Sequence, residues 1–167
     1  MPRVLPEWVT SKVRYMPVED LVIGALSQLM PDLPVYTLVS ASITDDFFVV
    51  VRREPSIMRK DESPIELEDR ARVRVNCFVN STEGDIEAGI LSDAIRTVLR
   101  EAADDNLLVP GVGYLAAFEP VADPAQVDGW SYRASRAMSS NTFADLPADL
   151  WHYSATYEID HWPLPGQ

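Results

Sequence analysis

Cysteine and histidine are scarce in this 167-residue chain, which has one Cys and two His. A single thiol cannot close an internal disulfide, and nothing here calls for an oxidising compartment. Long apolar runs are missing too; none approaches the roughly 20 residues of a membrane helix. The stretch from Met1 to Trp8 contains two prolines and no apolar signal-peptide core, so the expectation is a protein kept in a cytoplasm-like environment. Cations are outnumbered: 14 Lys and Arg against 26 Asp and Glu give a net charge of −12 and a pI near 4.4. A surface this acidic repels nucleic acid phosphate and keeps the chain soluble.

The constellations that chemistry needs are likewise missing. Cys77 falls in phase with Val73, Val75 and Val79, which reads as a small buried hydrophobe rather than a catalytic thiol. His152 and His161 are nine apart on one predicted strand and point to opposite faces, against a shared metal site. Asp160 and His161 are adjacent and point apart, against a dyad. The paired carboxylates at 45–46, 61–62 and 104–105 read as solvated charge. Pro110-Gly111-Val112-Gly113 follows a helix and precedes a strand, the reverse of a phosphate-cradling loop, and reads as a plain turn. No catalytic residue, cofactor site or metal site is assigned.

What is present is a clear alternation of elements. Residues 1–16 read as an irregular arm, with Trp8 as an anchor. A helix starts with Pro17 at its first position, carries the stripe Leu21, Val22, Ala25, Leu26 and Leu29, and stops at Pro31 and Pro34. Strands are expected at 35–40 and 47–53, the second apolar on both faces like a covered central strand. Residues 54–69 form a charged, proline-punctuated loop. The strand at 71–80 puts Arg72, Arg74, Asn76 and Asn80 opposite its apolar face, with Phe78 interrupting the polar side.

A long helix over 85–103 follows, with Ser81 or Thr82 as N-cap and Asp85 completing a capping box. Its predicted apolar stripe is Ile86, Ile90, Leu91, Ala94, Ile95, Val98, Leu99 and Ala102. Strands at 114–121 and 150–161 flank a second long loop, 122–149, and 162–167 is a tail. In the last strand Trp151, Tyr153, Ala155, Tyr157 and Ile159 share one face. If the 71–80 and 150–161 strands are neighbours, Arg72 and Arg74 can pair with Glu158 and Asp160. The order α-β-β-β-α-β-β implies an α+β fold: a mainly antiparallel sheet with two principal helices packed on one face. No internal boundary divides residues 1–167, which read as one domain.

One unit carries a family resemblance. The strand R-V-R-V-N-C-F-V leads through a short polar break into the helix D-I-E-A-G-I-L-S-D-A-I-R-T-V-L. A strand at Tyr114–Glu119 and a last strand W-H-Y-S-A-T-Y-E-I-D come after, and Met30-Pro31-Asp32-Leu33-Pro34-Val35 joins the first helix to the first strand. This layout, over most of residues 17–162, resembles the tail terminator (tail completion) proteins of long-tailed bacteriophages. The 122–149 loop and the N-terminal arm are longer than the minimal family plan.

The resemblance implies a non-enzymatic virion subunit that forms a homo-oligomeric ring, usually a hexamer, in the tail or neck, assembled in the bacterial host cytoplasm. The ring would cap the tube of major tail protein, end its polymerisation and face the head-side connector or stopper protein. DNA would cross its lumen without specific binding, as an acidic wall favours, and neither cofactor nor membrane is involved. A closed ring joins two different patches, for which the candidates are Trp8, Met58, Arg59, Lys60, Trp130, Tyr132, Arg133 and Phe143. Two other readings share the composition: another head-tail joining protein of the neck, and a small acidic ligand-binding domain or enzyme.

Overall fold

Proline frames the first helix. In the computed structural model, which describes residues 17–38, 43–54, 69–80, 84–127 and 150–164, helix α1 spans Val18–Leu29. Pro17 is its N-cap rather than its first helical residue, with ψ at 136°. Glu19 and Asp20 lie in the electropositive first turn. Val18, Leu21, Val22, Ala25 and Leu26 are buried, whereas Leu29, expected on the same stripe, is exposed. Met30 leaves helical geometry at φ −133°, one residue ahead of Pro31.

Among the described residues, five further strands and one helix follow a first short strand, β1 (Val35–Tyr36): β2 (Phe47–Glu54), β3 (Asp69–Asn80), α2 (Gly84–Asp104), β4 (Leu108–Val109), β5 (Gly113–Gln126) and β6 (Leu150–Trp162). The sheet order is β1-β2-β3-β6-β5-β4. Among the described strands only β1 and β2 run parallel; every other pair is antiparallel. The fold is the expected α+β arrangement, with an extra two-residue strand β4 just ahead of the Pro110–Gly113 turn, where no element was assigned.

Several bounds move. β1 is shorter than 35–40, since Thr37 and Leu38 are outside it and Val39 and Ser40 lie outside the described residues. Glu54 and Asp69, read as loop ends, are paired strand residues opposite Arg72 and His161. The stretch 122–126, read as loop, continues β5, with irregularities near Ala117, Ala122 and Ala125. Prolines at 120 and 124 weakened the strand signal there. Val127 donates to the His152 carbonyl at 3.0 Å, so even-numbered β6 residues turn their backbone to β5. Pro120 stands opposite Tyr157, and its ring nitrogen therefore faces the outer edge, where no ladder bond is lost. Trp162, read as the start of the tail, is the last residue of β6 and pairs with Tyr114.

Both described helices pack on one face of the sheet. The main core joins α1 to Val49 and Val51, to Ala71, Val73, Val75 and Cys77, to Ile95, Leu99, Ala102 and Ala103, and to Ala155, Tyr157 and Ile159. The other face has its own apolar cluster of Phe48, Val50, Phe78 and Leu150, with Tyr36 and Ile43 against it. This second cluster explains why β2 is apolar on both sides and why Phe78 interrupts a polar face. Its rings form a row across four strands. Tyr36 meets Phe48 edge-on at 6.2 Å, Phe48 stacks on Phe78 at 4.9 Å, and Phe78 stacks on His152 at 4.5 Å.

Beyond the rings the same face is ionic. Arg72 pairs with Glu158 at 2.7 Å, directly across β3 and β6. Asp160 is held by Arg70 at 2.7 and 2.9 Å rather than by Arg74. Arg74, opposite Thr156, turns the other way and pairs with Glu54 of β2. The register settles partners that alternation alone left open.

Candidate interaction surface

Helix α2 has two apolar faces, and only one of them meets the sheet. At 100° per residue, Gly84, Ala88, Ser92, Ile95, Leu99 and Ala102 share the buried side. Ile86 and Ile90, expected on the core stripe, point almost the opposite way and are 65% and 64% exposed. The reason is the sheet beneath the first half of the helix, which carries Trp151 and Tyr153. A Cβ on Gly84 would run into the Trp151 ring, and one on Gly89 would touch Tyr153 at 3.5 Å. Small residues must face such rings, so the bulky isoleucines are left outside.

The two capping candidates, Ser81 and Thr82, lie outside the described residues. Asp85, expected to complete their box, instead accepts a hydrogen bond from the Tyr153 hydroxyl at 3.1 Å and ties the helix start to β6. Burial, together with this carboxylate, raises the Tyr153 pKa above its ordinary value.

The outward apolar side of α2 opens onto a cleft of about 620 Å³, walled by Ile90, Leu91, Ala94 and Glu87 on the helix and by Asp46, Phe47, Val79 and Asn80 at the ends of β2 and β3. Asn80 donates its backbone N–H to the Asp46 carbonyl at 2.7 Å, which fixes the two strand ends together. Phe47 is 42% exposed here, although its neighbours in β2 are buried. The floor is apolar and the charged groups in the wall are carboxylates. On α2 the first cation is Arg96, which is engaged by Asp93 and Asp123, each at 3.2 Å. Such a cleft suits an apolar side chain flanked by positive charge.

The thiol and both imidazoles, by contrast, are shut away. Burial pushes the Cys77 thiol up to about 12, and the Ser92 hydroxyl only partly opposes it, so no thiolate forms near neutrality. His152 is buried on the opposite sheet face, where its Nε2–H donates to Asn76 Oδ1 at 3.0 Å. Burial first, and the Arg74 guanidinium second, pull its pKa down to about 4. His161 is fully buried beside Gly113, with Nε2 3.3 Å from the Val112 carbonyl oxygen. The two imidazoles lie on opposite faces, as their spacing requires. Among the described residues, no group of three His, Cys, Asp or Glu could hold a metal ion, and no helix is long and apolar enough to cross a membrane.

The interface residues expected from the sequence (Trp8, Met58, Arg59, Lys60, Trp130, Tyr132, Arg133 and Phe143) all lie outside the described residues. Phe47, Ile86 and Ile90 were not anticipated as surface. A helical wheel carries the missing signal, because no single face can hold both Ile86 and Ile95, half a turn apart in angle.

No protein-family model matches the chain, and no curated protein matches it. Similar solved structures exist. One belongs to the virion of a native gene transfer agent particle: 14% identity, 92% of this chain and 91% of that chain covered, TM-score 0.48. Another is the sheath/tube terminator of an extracellular contractile injection system (PVC) in the extended state: 10% identity, 89% of this chain and 58% of that chain covered, TM-score 0.30. With TM-scores below 0.5 the shared outline is loose, and what each of those proteins does stays with it.

Proposed function

We propose that this chain is a structural subunit of a phage-type tail, acting by self-association rather than by catalysis. Copies join into a ring that caps the tail tube, ends its polymerisation and meets the head-side connector, with DNA crossing the acidic bore. Residues 1–167 act as one unit in this reading, and its place is the virion. The observation that carries it is the outward stripe of Ile86 and Ile90 beside the Phe47 cleft, on a molecule whose one thiol and two imidazoles are buried. An exposed apolar strip next to a cleft marks a protein contact. The sequence resemblance to tail terminators gives that contact its partners.

The test is particle assembly. Purified chain is weighed in solution and imaged with tail tubes. Rings, alone or on the last tube layer, are expected. A strict monomer that never docks on tubes, or turnover of a small molecule, overturns the reading.

A further inference from the structure

We infer that the cleft beside α2 receives residues 1–16 of a second copy of this chain. This inference rests on the self-association reading above and names the two surfaces that meet.

Charge is the first ground. Residues 1–16 contain Arg3, Lys12 and Arg14 against Glu7, so this segment carries +2 while the other 151 residues carry −14. It is apolar as well, with Val4, Leu5, Trp8 and Val9 between the cations. A basic, apolar segment on an acidic chain is the complement of a cleft with an apolar floor and the carboxylates Asp46 and Glu87 in its wall.

Polarity of the fold is the second. Arg53 donates its backbone N–H to Glu19 Oε1 at 2.9 Å, so the first turn of α1, and the point where residues 1–16 join it, sits at the Arg53 end of β2. The cleft opens at the Phe47 end of the same strand. Six residues of strand separate the two, about 20 Å. Departure and receipt at opposite ends of one strand make a head-to-tail contact, in which the leaving end of each copy abuts the receiving end of the next. Contacts of that kind close into rings when the rotation allows. Sixteen extended residues reach up to about 55 Å, more than the roughly 20 Å of strand between the two ends.

Cross-linking separates the outcomes. Trp8→Cys and Ile90→Cys are made in separate chains, each with Cys77→Ala, and are mixed and mildly oxidised, alone and on tail tubes. Ile90 is 64% exposed, so its replacement leaves the core intact. The expected product joins one chain of each kind at twice the chain mass. Lys12→Glu with Arg14→Glu should weaken self-association by about tenfold or more, and adding Glu87→Lys should recover it. If a chain carrying both new cysteines closes only on itself, the segment binds its own cleft and the inference falls. It falls equally if rings form without the cross-link and ignore the charge reversal, while the ring reading stands. A chain that stays monomeric with and without tubes removes both.

Discussion

His152 shows how a single side chain can tie stability to pH. Its ring is stacked on Phe78 and bonded to Asn76, and its folded pKa is near 4. The unfolded ring titrates near 6.5. The unfolded state therefore binds the extra proton first as pH falls. His152 contributes its full stability above pH 6.5 and loses it progressively down to about pH 4. The shift corresponds to about 3 kcal/mol. In urea melts between pH 7 and pH 4.5, His152→Gln should show a smaller loss of stability than the parent; equal slopes would count against the assignment. Ser92 gives the converse case. Its hydroxyl is buried, with no nitrogen or oxygen partner among the described residues. Its contact is the Cys77 thiol, a weak hydrogen-bonding partner, so Ser92→Ala should melt within about 1 kcal/mol of the parent.

At the scale of elements, α2 separates what periodicity tells from what it does not. Its length and C-terminal core residues Ile95, Leu99 and Ala102 were legible in the sequence. Its N-terminal half was misread, because the stripe was built from the largest apolar residues. The sheet beneath carries Trp151 and Tyr153, and the helix approaches it on Gly84 and Ala88 instead. Gly84→Ala should therefore destabilise the protein by about 1–3 kcal/mol, as overpacking does, and lower the melting temperature accordingly. A helix that tolerated the methyl would mean the Trp151 ring is free to move aside. The strands fared better: β3 and β6 alternate cleanly, and their pairing brought Arg72 to Glu158. The partners of Arg70 and Arg74 depended on register, which no residue of either strand states alone.

The whole molecule has two unlike ends along β2. One is where α1 begins and Glu19 caps the Arg53 amide; the other is the acidic, apolar cleft at Phe47. The outward stripe beside that cleft carries the functional reading, and it can be tested without touching the core. Ile86→Ser with Ile90→Ser replaces two exposed side chains. Stability should change by less than about 0.5 kcal/mol, while ring formation or docking on tubes is lost. Loss of folding and association together would show that these isoleucines support the subunit itself.

By itself the sequence determined the class of fold, the order of elements, the inertness of Cys77 and the opposed faces of the two histidines, because these follow from local periodicity and spacing. Only the tertiary structure decided which face of α2 stays outside, which arginine meets which carboxylate, and that Phe47 and Ile90 share one cleft. Those outcomes depend on ring volumes, strand register and the meeting of chain segments some forty residues apart, none of which is encoded in any single stretch of chain.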